Sequence, residues 1–367
     1  FYILCGLLMN TGGIAQKLID FAKILVGRIP GGLAHTNILG NTLFGSLSGS
    51  SVAASVAIGG VLIPMEEKEG YDKKFAAAVN IASAPTGLII PPSGILIIYP
   101  VLAGCSVVGM IMSGYIPGLM WALACMVVAY VIAKKNHYPT AGKVPASVFF
   151  KYFVDAIPSL LLIVIIVGGV MSGIFTATES AAVAVAYTLF LSIVVYRSIK
   201  IKDLPKILLD ACETTAVIMF LIAGSNVMSF VMSFTGLPSA IGNALISVSS
   251  NKYVILLIIN LVLLVVGCFM DITPAVLIFT PIFLPVVQSF GMDPIHFGIM
   301  MVMNLGIGNI TPPVGSALFS GCSVADMDME DMIKPILPFY AAIFVALMLV
   351  AYVPWFSMAL PTLFGAV

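Results

Sequence analysis

Long apolar stretches separated by short polar groups make up almost the whole chain. Several stretches approach the 20 residues that a helix needs to cross the hydrocarbon core of a membrane. Segments of about ten alternating residues, which are typical of membrane barrels, do not occur. The pattern therefore predicts an all-α integral membrane protein, because a helix satisfies its own backbone hydrogen bonds in lipid. The predicted uninterrupted spans are residues 118–133, 157–173, 180–196, 214–234 and 335–357.

Four other apolar stretches are interrupted in a way that a simple span would not tolerate. Residues 31–64 contain SLSGSS and residues 252–289 contain MDITP, each near the middle. Both are predicted to be re-entrant hairpins, because irregular backbone at membrane depth must be covered by protein or face water. Residues 75–104 and 295–321 contain Pro-Pro pairs, in LIIPPSG and NITPPVG. Each is predicted to be a broken helix, since proline removes a backbone donor and clashes with the preceding turn.

The two sets of interrupted elements belong to an internal repeat. Residues 61–94 align without a gap to residues 282–315, at an offset of 282 − 61 = 221 positions. The identical positions are mostly proline and glycine, which set backbone geometry, so a chance match is a poor explanation. They are Pro64 and Pro285, Gly70 and Gly291, Asp72 and Asp293, Gly87 and Gly308, Ile89 and Ile310, Pro91 and Pro312, Pro92 and Pro313, and Gly94 and Gly315.

Basic residues indicate the orientation of the two halves. Lysine and arginine concentrate in loops 134–156 and 197–212, which the positive-inside rule places in the cytoplasm, whereas 173–179 carries none. By the same count, the loop at 66–74 is inside and its repeat partner at 291–294 is outside. The halves are therefore inverted. Inverted repeats with broken helices are the architecture of secondary transporters, whose sites lie near the bilayer midplane.

The repeat also predicts a division of the chain. Residues 31–116 and 252–334 are the two halves of a transport domain. The other predicted parts are a truncated scaffold helix and cytoplasmic arm over 1–30, mainly scaffold spans over 117–235, an arm helix over 236–251 and a C-terminal span over 335–367. The spans within 157–220 have no counterpart in the first half, so about 60 residues are expected before Phe1.

Composition excludes other classes of protein. Apolar residues make up 60% of the chain and charged residues 9%, whereas soluble domains carry about 25% charged residues. The 16 basic and 16 acidic residues balance, so no nucleic-acid partner is expected. No nucleophile–base or metal pair indicates an enzyme.

Five motifs of the chain carry a family resemblance. They are SLSGSS at 46–51, GLIIPPSG at 87–94, TATESAAVA at 176–184, MDITPAVLIFTPIFLP at 270–285 and GNITPPVGSALFSGCSVA at 308–325. Together they resemble the large membrane subunit, of the DctM or SiaM type, of tripartite ATP-independent periplasmic (TRAP) transporters. Two details depart from the family: Ala53 and Ala54 stand where an acidic residue is frequent, and TATESAA replaces the usual TPTEAA.

The resemblance implies a function and partners. The family suggests an elevator-type, Na⁺-driven importer of the ion-transporter superfamily, in the bacterial inner membrane. Its substrate would be an organic acid anion: sialic acid, another sugar acid or a C4-dicarboxylate. Its partners would be a small four-helix membrane subunit and a periplasmic substrate-binding protein. The alternative is a stand-alone Na⁺/dicarboxylate symporter of the same superfamily that needs no binding protein.

The resemblance and the pseudo-twofold also indicate candidate site residues. Na⁺ prefers oxygen ligands, including backbone carbonyls. A carboxylate such as Asp271 costs at least about 2.5 kcal/mol near mid-membrane unless it has a partner. Asp210 and Glu213 are expected at the cytoplasmic boundary. The candidate Na⁺ ligands are Ser48, Ser50, Gly87, Ile90 and Pro92 at a first site and Asp271, Thr273, Gly308 and Thr311 at a second, and the candidate substrate ligands are Ser51, Asn309 and Asn226.

Overall fold

The computed structural model of the chain describes residues 1–140, 146–236, 240–241, 244, 247, 249 and 251–366. All regular elements in these residues are helical, as the apolar pattern predicts. The predicted arm helix over 236–251 lies largely outside the described residues.

The first half contains the first hairpin and the first broken helix. Its helices are α1 Tyr2–Thr11, α2 Ile14–Val26, α3 Gly32–Ser48, α4 Ser51–Lys68, α5 Lys73–Ser83, α6 Thr86–Ile89, α7 Ile95–Ala103, α8 Val107–Ser113 and α9 Tyr115–Lys135.

A middle group of helices follows. It comprises α10 Ala146–Ile163, a π-helical turn Val164–Gly168, α11 Gly169–Met171, α12 Ala177–Phe190, a second π-helical turn Leu191–Val195, a 3₁₀ turn Ile201–Asp203 and α13 Leu204–Thr235. The second half then repeats the interrupted elements. Its helices are α14 Lys252–Phe269, α15 Ile272–Ser289, α16 Pro294–Gly308, α17 Ser316–Val324, α18 Met329–Tyr352 and α19 Trp355–Leu363.

Seven helical segments of the described part are long and apolar enough to cross a membrane. Five of them overlap the predicted spans, with ends shifted by several residues. For example, α10 begins at Ala146 rather than at 157, because its first turns pack on α2, where Lys17 and Asp155 form an ion pair of 3.5 Å. The other two, α14 and α15, are the arms of the second hairpin. Length alone would have made them two ordinary spans.

The two hairpin tips have different local structures. In the first, Gly49 ends α3 with φ +63°, a left-handed conformation that glycine adopts without strain. Ser50 then caps α4 by accepting a hydrogen bond from the Ala53 amide at 3.2 Å. In the second, Met270 is extended and Asp271 stands at the N-cap of α15. The second arms, α4 and α15, are both 18 residues long.

The two broken helices match each other closely. After α6, the chain passes through extended Ile90 and a cis Pro91-Pro92 bond before α7 begins. In the second half, a cis Pro312-Pro313 bond lies between α16 and α17. The helices after the breaks, α7 and α17, both have nine residues.

Packing between the elements confirms the inverted repeat. The second arm α4 lies against α17, and its counterpart α15 lies against α7, so each hairpin packs on the other half's broken helix. Within each half, a glycine of the first hairpin arm lies against a glycine of the broken helix. A Cβ on Gly87 would lie 2.2 Å from Gly45 Cα, and one on Gly308 would lie 2.5 Å from Gly267 Cα.

Buried asparagines form hydrogen bonds between each hairpin and the helix that precedes the break. Asn41 Nδ2 donates to Asn80 Oδ1 and to Ser83 Oγ, both at 3.0 Å. In the second half, Asn304 Nδ2 donates to Asn260 Oδ1 at 2.8 Å. All are buried, so these bonds replace the water that the amides lose.

Helix α9 packs with the hairpins and breaks rather than with α10 to α13. Its Trp121 is fully buried and donates Nε1–H to the Ala82 carbonyl at 2.9 Å. The sequence-based division had placed this helix among the mainly scaffold spans of 117–235. The helices α1, α12 and α13 form a separate layer, which meets the hairpins through α3 and α15. Elevator-type movement of the hairpins and breaks relative to this layer stays a prediction.

Candidate substrate and cation site

A cavity of about 710 Å³ lies where the two hairpin tips meet the first break and the layer of α1 and α13. The first tip contributes residues 47–53 and the second contributes residues 271–274. Asn309 represents the second break. The opposite wall comes from α1 and from residues between Glu213 and Leu221 of α13. The structure therefore brings together the interruptions that the sequence singled out.

Three helices begin at this cavity. The first residues of α4, α7 and α15 are Ser51, Ile95 and Ile272, and all three line it. Helix N-termini carry unpaired N–H groups and a partial positive charge, so they attract anions. Helix N-termini therefore give the hairpin side of the cavity partial positive charges beside the Asp271 carboxylate, although no lysine or arginine is among the described lining residues.

A row of polar side chains connects the two halves at the cavity. Ser316, the first residue of α17, lies within hydrogen-bonding distance of Asp271 Oδ1, at 3.2 Å, and of Asn309 Oδ1. Asn309 Nδ2 donates to Ser51 Oγ at 2.7 Å. The row therefore runs from the second tip through the second break to the first tip.

The first group of candidate cation ligands belongs to the junction of the first tip and the first break, and three of its five members line the cavity. Ser48 and Ser50 lie at the tip, where Ser48 Oγ is 3.5 Å from the Ser50 carbonyl, and Pro92 lines the same cavity. Gly87 is buried against the hairpin. Ile90 is buried against Gly118 of α9, and neither Gly87 nor Ile90 lines the cavity. The junction offers hydroxyl and main-chain oxygens, the donors that a hard cation prefers.

Two of the four candidate ligands of the second group line the cavity. Asp271 and Thr273 line the cavity, and Gly308 abuts the hairpin. Thr311 does not line the cavity, and its hydroxyl donates to the Ile307 carbonyl at 2.7 Å. Sequence reasoning missed Ser316, whose hydroxyl stands beside Asp271. The repeat could not indicate it, because the position 221 residues earlier is Ile95.

The candidate substrate ligands separate into two kinds. Ser51 and Asn309 are buried, line the cavity and are bonded to each other. Asn226 is exposed on α13 and is not among the lining residues. Glu213, expected at the cytoplasmic boundary, instead lies on the cavity wall with Thr214. No sequence signal at Glu213 pointed to this position.

Comparison with known proteins decides the family. The family described as the tripartite ATP-independent periplasmic transporter, DctM component, matches residues 1–356. The chain belongs to the DctM family. The protein is therefore the large permease of a TRAP transporter, a multi-pass protein of the bacterial inner membrane and not an enzyme.

Relatives of this DctM-family permease cover nearly all of it. An uncharacterized protein YgiK of Salmonella typhimurium is 52% identical over 100% of the chain and 84% of its own length. A C4-dicarboxylate large permease of Pseudomonas aeruginosa is 39% identical over 100% of the chain and 86% of its own length. The sialic acid large permease SiaM of Vibrio cholerae is 39% identical over 99% and 85%.

A solved structure shares the fold. The YdaH transporter of Alcanivorax borkumensis superposes with a TM-score of 0.58, covering 96% of this chain and 84% of its own, at 13% identity. At that identity the likeness concerns the fold alone.

Proposed function

We propose that this DctM-family permease imports an organic acid anion by coupling its movement to Na⁺. The cavity between the hairpin tips supports this proposal most directly. Its hairpin wall combines helix N-termini, which suit a carboxylate, with oxygen donors that suit a hard cation. Relatives named for C4-dicarboxylate and sialic acid indicate the class of substrate.

Na⁺ would be held by the two junctions described above. At the first, Ser48, Ser50 and the main chain from Gly87 to Pro92 would supply the oxygens. At the second, the Asp271 carboxylate would be the charged ligand, with Thr273 and Ser316 beside it. A bound cation would offset the cost of placing that carboxylate at membrane depth. It would also add positive charge to the wall that faces the substrate carboxylate.

Two partner proteins belong to the proposal. A periplasmic substrate-binding protein would deliver the anion, and a small four-helix membrane subunit would join the permease. An isethionate permease among the relatives is named DctMQ, and this chain covers 57% of that longer protein.

The test is reconstitution of the permease with its small subunit in liposomes. We expect uptake of the cognate acid only with an inward Na⁺ gradient and with the cognate binding protein outside. Uptake that persists without Na⁺ would contradict the coupling. Na⁺-driven uptake that needs no binding protein would instead support the stand-alone symporter.

A further inference from the structure

The two walls of the cavity differ in what they present. The hairpin wall presents three helix N-termini together with the carboxylate of Asp271. The α13 wall presents the carboxylate of Glu213 and the hydroxyl of Thr214, followed by apolar side chains. Among the described residues that line the cavity, the charged ones are Glu213 and Asp271, and both are acidic. This is an unexpected lining for a site that takes an anion.

The two acids differ in their surroundings. Asp271 has Ser316 at 3.2 Å and stands at the N-terminus of α15, where the helix favours a negative charge. Glu213 lies in the third turn of α13, away from any helix start. Its carboxylate makes no hydrogen bond or ion pair with another of the described residues, and Glu213 is exposed and lines the cavity. Its carboxylate is therefore available to a ligand.

A free carboxylate on one wall restricts what the cavity accepts. It accepts hydrogen bonds from hydroxyl or ammonium groups and repels a second carboxylate. A site built to hydrogen-bond a polar group also discriminates strongly against analogues that lack this group. An anion whose carboxylate faces the helix N-termini must therefore direct donor groups toward α13.

We propose that Glu213 is a specificity-determining residue and that the substrate is a monocarboxylate bearing hydroxyl or amino groups. The carboxylate of the substrate lies against the N-termini of α4 and α15, and its donor groups lie against Glu213. An unsubstituted dicarboxylate fits poorly, because its second carboxylate would meet Glu213. This inference rests on the proposed function, since it assumes that the cavity binds an organic acid.

Three six-carbon acids separate the chemical possibilities. D-gluconate is hydroxylated, hexanoate has neither hydroxyl nor second carboxylate, and adipate has two carboxylates. N-acetylneuraminate adds a second hydroxylated acid. Each is titrated into the purified permease with its small subunit, once in Na⁺ and once in K⁺, while the thermal unfolding midpoint is followed; the Na⁺ requirement is the difference between the two series. A ligand that binds the native state raises that midpoint, and this readout needs no binding protein.

We expect at least one hydroxylated acid to raise the midpoint at concentrations at least tenfold lower than adipate or hexanoate requires. In Glu213→Gln this preference should shrink at least tenfold, while the Na⁺ requirement is unchanged. Asp210→Asn, which removes a charge one turn earlier on the same helix and outside the cavity lining, should change neither quantity.

The possible failures are distinguishable. If adipate stabilises the permease as well as the hydroxylated acids do, or if Glu213→Gln leaves the preference unchanged, the role of Glu213 is wrong. If Glu213→Gln abolishes the Na⁺ requirement, Glu213 is a cation ligand and the specificity role is also wrong. If no acid raises the midpoint in Na⁺, the proposed function itself fails.

Discussion

At the scale of single residues, polar side chains at the cavity link the two halves of the repeat, and Asp271 adds a negative charge. Asp271, Ser316, Asn309 and Ser51 form a continuous polar row across the repeat boundary. A substitution at any of them removes a link of this row and should have a measurable effect.

Asp271 provides the first prediction. Replacing it by asparagine removes the carboxylate but keeps the shape, so we expect the Na⁺ concentration for half-maximal uptake to rise at least tenfold. The measurement is uptake against Na⁺ in liposomes. Asp20→Asn is the control, because Asp20 lies on α2 and contacts Gln16 at 3.0 Å, outside the cavity lining. An unchanged Na⁺ curve for Asp271→Asn would exclude Asp271 as a ligand.

The bond between Asn309 and Ser51 provides the second. Both residues are buried, and either single alanine substitution leaves a polar group without its partner. A double-mutant cycle of Asn309→Ala and Ser51→Ala should give a coupling energy of about 0.5–3 kcal/mol. Unfolding of the detergent-purified protein by denaturant measures it. Additive effects of the two substitutions would show that the bond contributes nothing to stability.

At the scale of elements, the glycine crossings determine how closely a hairpin approaches its broken helix. Alanine at position 87 or 308 would place Cβ within 2.5 Å of the backbone of the facing glycine. Backbone cannot move aside as a flexible side chain does, so the hairpin must shift.

We therefore expect Gly87→Ala and Gly308→Ala each to lower the free energy of unfolding by about 1–3 kcal/mol, the usual cost of overpacking. Na⁺ affinity should fall as well, because both candidate junctions adjoin these crossings. The matched control is Gly224→Ala in α13, where an added Cβ meets nothing within 4 Å. If all three variants behave alike, the crossings are looser than the structure shows.

At the scale of the whole molecule, α13 lines the cavity opposite the second hairpin tip, whereas α5 and α18 pack on each other. An elevator mechanism requires α13 to slide relative to the second hairpin. It does not require α5 to slide relative to α18. Lys74 on α5 and Asp331 on α18 are joined at 2.6 Å and give an internal reference pair.

A cross-linking experiment tests this motion. In a background without the six native cysteines, we expect a bifunctional maleimide joining Val217→Cys to Thr273→Cys to stop uptake, because both positions line the cavity from opposite sides. The same reagent joining Lys74→Cys to Asp331→Cys should leave uptake largely intact. Transport that survives the first cross-link would contradict relative movement of α13 and the second hairpin.

The sequence by itself determined the all-α membrane fold, the inverted repeat and the positions of both breaks. These depend on signals that need no knowledge of packing: apolar length, prolines and glycines that recur in both halves, and basic loops. It also indicated Ser51 and Asn309, because the polar residues within the long apolar stretches gather at the interruptions.

Tertiary structure alone decided which side chains share the cavity. Ser316 joins Asp271 because the start of α17 packs beside the second tip. Glu213 joins the cavity because α13 packs against α1 and α15 beside the hairpin tips. Neither contact follows from spacing along the chain, because each joins segments tens of residues apart. Which face of a helix points to the cavity is set by packing against its neighbours. The same packing places α9 with the hairpins, although its sequence is that of an ordinary span.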